Sequence, residues 1–270
     1  MKFGSWYPVS KNRILKMSLK INFIGISGSE VSVCANNGVF KSSNGISSWK
    51  RIFKGMGEEE NSAQHMAFNS NKIYIGTRGV LLISDDSGVT WQKSSGEAGG
   101  LSIRWIMFLE DMVFLATEKG VYKTSGPDWK RVFITSTEEA EYDADAIDEA
   151  AAASKPVNSI FVKDKTIFLA TDSGVFISND KGESWKHFES AGLGSEKINR
   201  ILCWDNLYAA TDGGIFVFND NDKIWQALYK GMDADRINSI AADNKGGIWV
   251  ATDKGLYKSS PLTLSLSPEG

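Results

Sequence analysis

The nine residues Phe168-Leu-Ala-Thr-Asp-Ser-Gly-Val-Phe176 decide how the chain is read. They set two short runs of β-branched, aromatic and small apolar residues on either side of Thr171-Asp-Ser-Gly174, a group of residues suited to a tight reversal. The pattern recurs. Phe114-Leu-Ala-Thr-Glu-Lys-Gly-Val-Tyr122, Tyr208-Ala-Ala-Thr-Asp-Gly-Gly-Ile-Phe216 and Trp249-Val-Ala-Thr-Asp-Lys-Gly-Leu-Tyr257 are close copies. Val33-Cys-Ala-Asn-Asn-Gly-Val-Phe40 and Tyr74-Ile-Gly-Thr-Arg-Gly-Val80 are looser ones. From Asn36 through Thr77, Thr117, Thr171, Thr211 and Thr252 the steps are 41, 40, 54, 40 and 41 residues, which makes six units with one insertion between the third and fourth.

Two further markers keep the same phase. Trp6, Trp49, Trp91, Trp129, Trp185 and Trp225 are 43, 42, 38, 56 and 40 residues apart, and the long step is again the one with the insertion. Ile21-Asn-Phe-Ile24, Val157-Asn-Ser-Ile160, Ile198-Asn-Arg-Ile201 and Ile237-Asn-Ser-Ile240 each open a unit, while Gln64 and Arg104 replace the Asn in the second and third. Within a unit the apolar runs are short and bounded by Gly, Asn, Asp and Ser, a strand pattern with no sustained helical period. The last unit lacks a fourth strand at its C-terminal end, and Trp6-Tyr-Pro-Val9 resembles the fourth strands that begin at Trp49 and Trp129. We therefore expect one all-β domain over residues 1–270, a six-bladed β-propeller of four-stranded blades whose last blade is completed by the N-terminal strand. Such closure leaves no unpaired radial edge.

The turns before two of these Trp residues carry a family signature. Ser84-Asp-Asp-Ser-Gly-Val-Thr-Trp91 and Ser178-Asn-Asp-Lys-Gly-Glu-Ser-Trp185 fit the pattern Ser-x-Asp-x-Gly-x-Thr-Trp, with Ser for Thr in the second. The chain thus resembles Asp-box (BNR) repeat propellers, and its Thr-Asp-x-Gly units are similar to those of two-component-regulator sensor propellers. The box reads as structural: Asp accepts backbone N–H bonds, Gly takes a positive φ, and Trp fills space between sheets. Families with this box include sialidases and other glycosidases, photosystem II assembly factors and sortilin-type receptors, so the resemblance does not fix a function. It implies a secreted or periplasmic setting.

In this arrangement the inter-blade connections and the Thr-Asp-x-Gly turns share one face, opposite the box turns. Asn22, Gln64, Arg104, Asn158, Asn199 and Asn238 then ring the mouth of the central channel, with Glu118, Asp172, Asp212 and Asp253 beside them. The expectation is a polar, mildly acidic mouth for a small ligand or a cation; the plainer reading makes these Asn and Asp side chains backbone-bonding turn residues. Two connections break the repeat. Residues 135–156 carry seven acids, including Asp143 and Asp145, and read as a short acidic helix or flap. Residues 10–20 carry Lys11, Arg13, Lys16 and Lys20, and six-fold geometry places the two connections across the mouth from each other.

Composition narrows the classes. A net charge of −3 without a cationic cluster argues against nucleic acid. Apolar runs such as Ile201-Leu-Cys-Trp204 are far shorter than the roughly 20 residues of a membrane span. Phe3-Gly-Ser-Trp-Tyr-Pro8 is not the apolar core of a secretory signal. Cys34 and Cys203 lie in apolar runs and read as buried hydrophobes. His65 and His187 lack companions at zinc-ligand spacing and read as packing or surface residues; Asp143-x-Asp145 lacks the Gly and Glu of a calcium loop. Trp105, Trp204 and Trp249 are read as inner-strand fillers. A sialidase needs convergent Arg with a Tyr/Glu pair; Arg13-Ile-Leu15 lacks the family's Pro, and Arg78, Arg104 and Arg200 have no such pair at a recognisable spacing. The expectation is a non-catalytic binding or scaffold propeller, without cofactor or metal. It would meet a protein partner through the face bearing the 10–20 and 135–156 connections. A carbohydrate-active hydrolase with two carboxylates at the mouth is the alternative, and an assembly factor for a membrane complex is a third reading.

Overall fold

The computed structural model describes residues 6–8, 20–43, 49–126, 128–134, 155–193, 197–203, 206–229, 236–243 and 247–259, with backbone alone at 6–8, 97, 99, 229 and 259. Arg13, Trp204 and all but the edges of the 10–20 and 135–156 connections lie outside these residues. Among the described residues, twenty-four strands form six antiparallel sheets of four, the blades of a propeller. The inner strands are Ile21–Ser27, Ala63–Asn69, Ile103–Leu109, Val157–Lys163, Ile198–Cys203 and Ile237–Ala242, numbered here as blades one to six. Blades one to five run inner to outer in chain order, whereas blade six takes Trp6–Pro8 as its outer strand, with Trp6 opposite Ser259. No helix among the described residues is long and apolar enough to cross a membrane.

The second strand of each blade is covered on both faces by neighbouring blades, so it cannot alternate apolar with polar as a half-solvated strand does. Ile248–Thr252 is buried throughout, and Glu30–Ala35 is buried from Val31 onward. The repeated Trp residues wedge between blades as the sequence implied. Trp91 meets Phe53 of the preceding blade edge-on at 5.4 Å, Trp185 meets Phe133 at 5.3 Å, and the Trp185 indole donates to Val132 O at 2.9 Å. Trp249 is a correction: it lies on a second strand, buried, with its indole donating to Asp243 at 3.0 Å and Lys258 over its ring at 4.6 Å.

The Thr that marks each repeat makes the same turn five times. Its hydroxyl donates to the carbonyl three residues on, as Thr171 does to Gly174 at 2.8 Å, and accepts the N–H two residues on, as from Ser173 at 2.9 Å. Ladder register also corrects the repeat alignment. Ala35, not Asn36, pairs with Ile21 as Thr171 pairs with Val157. In blade two Gly76 pairs with Leu81, which puts Val80 at the place of Gly174 and Arg78 at the place of Asp172.

The two full box turns bond alike. The Asp86 carboxylate accepts from the Thr90 hydroxyl at 2.6 Å, the Ser84 hydroxyl at 2.8 Å and two backbone N–H groups, and Asp180 repeats the set with Ser178, Glu183 and Ser184. The outer strands that follow are only two residues long, Gln92–Lys93 and Lys186–His187, which keeps these edges poor templates for pairing with another chain.

Candidate functional site at the mouth of the central channel

Every inner strand carries one bulge, and the residue that its ladder skips is in turn Asn22, Gln64, Arg104, Asn158, Asn199 and Asn238. A bulge frees its residue from the ladder and re-aims the side chain. These six side chains line a cavity of about 70 Å³ at the mouth. Four of the amides grip the next blade: Asn22 donates to Ala63 O at 2.8 Å, Asn158 to Ile198 O at 2.9 Å, Asn199 to Ile237 O at 2.7 Å and Asn238 to Ile21 O at 2.7 Å. Each acceptor opens the neighbouring inner strand, and the last bond joins blade six to blade one. Buried carbonyls need a donor, and here it comes from the next blade.

The carboxylates of the turns are drawn into the same lattice. Asn158 also donates to Asp172 at 2.7 Å, and Asn199 to Asp212 at 2.7 Å. Asp212 pairs further with Lys197 at 3.3 Å and Arg236 at 3.4 Å. Burial would raise the Asp212 pKa, but the bonds from Asn199 and Lys197 with the charge of Arg236 hold it below its usual value. Asp253 accepts from the Arg236 backbone N–H at 3.1 Å.

Blades two and three depart. The Gln64 amide turns back to Ser62, bonding its carbonyl and hydroxyl at 3.1 Å each. The Arg104 guanidinium donates to Asn158 Oδ1 at 2.7 Å. Burial pulls the Arg104 pKa down, against the nearby charges of Asp172 and Glu118. Lys20, Arg236 and Trp105 complete the lining, so that the described lining residues include three cations and no carboxylate. That reverses the mildly acidic mouth expected above, because the acids bond sideways to amides while cations beside the strand starts line the cavity. The Lys20 pKa is lowered by burial and then by the charges of Arg236, Arg78 and Arg104.

One residue deeper stand Phe23, His65, Trp105, Ser159, Arg200 and Ser239. Ser159 Oγ accepts the Ile201 N–H at 3.2 Å, and His65 Nδ1 accepts the Ile106 N–H at 3.3 Å, the same inter-blade contact made by a ring instead of a hydroxyl. His65 is buried, with ring centroids 3.7 Å from Trp105 and 4.2 Å from Phe23, and burial followed by the Arg200 charge keeps it neutral. The Arg200 guanidinium lies over Trp105 at 4.2 Å and Phe23 at 5.3 Å and donates to Ser239 Oγ at 2.7 Å. Its Nε has no partner, and burial alone lowers its pKa. This layer fills the channel beneath the mouth.

The structure thus brings Asn22, Arg104, Asn158, Asn199 and Asn238 together at one cavity, with Asp172, Asp212 and Asp253 beside them in fixed bonds; Arg13 lies outside the described residues. Sequence reading named Lys20 only within the basic 10–20 connection and did not name Arg236; it read Trp105 as an inner-strand filler and weighed Arg200 only as a candidate Arg, and it brought none of the four to the cavity. A signal existed for the first two: Lys20, Lys197 and Arg236 all immediately precede an inner strand. Among the described residues no three His, Cys, Asp or Glu side chains gather as a metal site, and Cys34 and Cys203 are free.

Residues 231–254 match the family described as two component regulator propeller. No curated protein sequence matches the chain. Among solved structures, the chain is similar to the extracellular domain of a hybrid two component system from B. thetaiotaomicron, with a TM-score of 0.67 and 14% identity over 97% of this chain but only 40% of that one. YCF48 bound to D1 peptide is matched with a TM-score of 0.59 and 15% identity, covering 93% of this chain and 80% of that chain. A gluconolactonase from Xanthomonas campestris is matched with a TM-score of 0.67 and 10% identity, covering 96% and 90%. Identities this low establish a shared β-propeller fold and no more.

Proposed function

We propose that the protein is a non-catalytic binding module that meets its partner through the mouth face, as the input domain of an extracytoplasmic sensor or as an assembly factor. One observation carries this reading. Asp172 and Asp212 are held in lattice bonds, to Asn158 and to Asn199, Lys197 and Arg236 respectively, while the groups that line the cavity are cations and amides with no carboxylate among the described residues. Fixed carboxylates suit a scaffold, and a cationic hollow suits recognition of an anionic partner. The likeness to a sensor's extracellular domain and to a propeller with a bound peptide supports a protein or peptide partner; a carbohydrate is the alternative ligand.

A photo-crosslinking amino acid at Lys119 or Lys254, both exposed in mouth-face turns, tests the reading against the same probe at Val89, 79% exposed in a box turn on the opposite face. The expected result, in the source cells, is a discrete adduct from the first two positions and none from the third. Adducts from Val89 alone, or hydrolysis of glycosides by the purified protein, would overturn it.

A further inference from the structure

The mouth cavity combines three features that a structural lattice does not require. Lys20, Arg104 and Arg236 line it with no lining carboxylate among the described residues. Trp105, 7% exposed, also lines it, and its indole Nε1 is a buried donor without a partner. Arg200, 8% exposed, lies against the Trp105 ring below, and its Nε is a second unpartnered donor. A buried donor left unmatched costs about 1–3 kcal/mol, more when charged, so such groups ask for a partner that the chain itself does not supply.

We propose that this cavity is a carboxylate-binding site, in which the Lys20 ammonium and the Arg104 and Arg236 guanidinium groups hold one carboxylate above Trp105 and Arg200. The proposal rests on the binding-module reading and names its ligand class. Cationic donors outnumber acceptors in the lining; the buried, unpartnered Asn199 Oδ1 is the exception, an acceptor suited to a hydroxyl or amine beside the carboxylate. Planar, forked guanidinium groups match a carboxylate, and about 70 Å³ leaves room for such a group. The surrounding acids do not fill the role. Asp172 is taken up by Asn158, Asp212 by Asn199 and by Arg236 Nε at 3.4 Å, which leaves the other donors of that guanidinium, and Asp253 by a backbone N–H; Glu118, whose buried Oε2 has no partner, acts on Arg104 by charge from the turn of blade three and does not line the cavity. Burial first, and then the charges of Arg236, Arg78 and Arg104 against that of Asp253, depress the Lys20 pKa, and the repulsive part would be relieved by an anion between these groups.

The test uses the full chain labelled with nitrogen-15, reading the indole N–H signals and identifying that of Trp105 by its loss in Trp105→Phe. Sodium acetate is titrated against sodium chloride at constant ionic strength. The Trp105 signal is expected to move saturably with a midpoint in the millimolar range, and Arg236→Gln and Lys20→Gln are each expected to raise that midpoint at least tenfold while the other indole signals stay in place. A peptide with a free α-carboxylate that displaces acetate, where its C-terminal amide does not, assigns the carboxylate to a peptide partner; displacement by neither assigns it to a small acid. No saturable shift, an unchanged midpoint in both variants, or tighter binding of inorganic phosphate than of acetate would overturn the proposal. If crosslinks persist at Lys119 and Lys254 while acetate shifts nothing, the carboxylate site fails and the binding module stands. If acetate binds while crosslinks form at Val89 alone, the reverse holds.

Discussion

Blades four to six and blades two and three present the same strand position to the mouth and use it differently. In the first group Asn158, Asn199 and Asn238 each bond the opening carbonyl of the next blade, and two of them also hold the acid of their own turn. In the second group Gln64 bonds within its own blade, Arg104 borrows an oxygen of Asn158, and Arg78 occupies the turn position that is acidic in blades three to six. The layer beneath repeats the division, with Ser159 and Ser239 in blades four and six but His65 and Trp105 in blades two and three. Amides that recur at the bulge are therefore structural here, and the departures in blades two and three free side chains such as Arg104, while Lys20 and Arg236 reach the cavity from just ahead of the inner strands of blades one and six. Blade five breaks the rule once, through Arg200, which reaches across the channel to the rings of Phe23 and Trp105.

The largest effect should come from removing a latch in the conserving sector. Asn199→Ala leaves Ile237 O and an Asp212 oxygen without their donor, and an expected loss of about 2–3 kcal/mol would be read from urea unfolding. Gln64→Ala loses only local bonds to Ser62 and should cost under about 1 kcal/mol. Equal costs at the two positions would erase the distinction between the sectors.

Next in size is a pH effect specific to the departing sector. Because His65 is held neutral in the fold, its native pKa lies well below the unfolded value, and the unfolded chain binds the extra proton. Its contribution is thus complete above about pH 6.5 and is lost as pH falls below that, with a slope approaching about 1.4 kcal/mol per pH unit. His65→Ser copies the residue of blades four and six, and in blade four the Ser159 hydroxyl makes the same contact with a neighbouring N–H. That variant should lose stability from the missing ring but show a flatter stability profile between pH 6.5 and 5. An unchanged slope would mean that the wild-type pH dependence arises elsewhere.

Restoring the repeat is the third comparison. Arg104→Asn returns blade three to the residue of four other blades, and a new bond to Val157 O together with the loss of a half-buried cation should raise stability by about 1 kcal/mol. Acetate binding should weaken at the same time. Destabilisation by this substitution would show that Arg104 belongs to the lattice after all.

The pattern of these residues explains what could be read before the structure. Six blades were legible because Thr, Gly and Trp each answer a backbone or packing need that recurs, so their spacing counts the units. The ring of Asn22, Arg104, Asn158, Asn199 and Asn238 was legible for the same reason. Charge at the mouth was not, because whether an acid such as Asp172 faces the cavity or bonds sideways to Asn158 depends on a bulge that composition does not reveal. Trp105 was legible as an inner-strand filler and Arg200 as a candidate Arg, but their stacking was not, because only the closed ring brings them into contact.

The smallest expected effect tests whether the contrast is confined to the mouth. Asp86 and Asp180 sit on the opposite face, one in a departing blade and one in a conserving blade, with matching sets of hydrogen bonds. The bonds from Thr90 hold the exposed Asp86 carboxyl at about 2, and those from Ser184 hold Asp180 lower still. Native pKa values below the unfolded value of about 4 make each contribution complete above pH 4, and each is lost as pH falls toward 2. Asp86→Asn and Asp180→Asn should each flatten acid unfolding in that window, and to a similar extent. A similar response from both blades means that their divergence is a property of the mouth alone. An effect limited to blade four would instead mean that blade two has relaxed along its whole length, and Arg78 in its mouth-face turn would then be a by-product of drift.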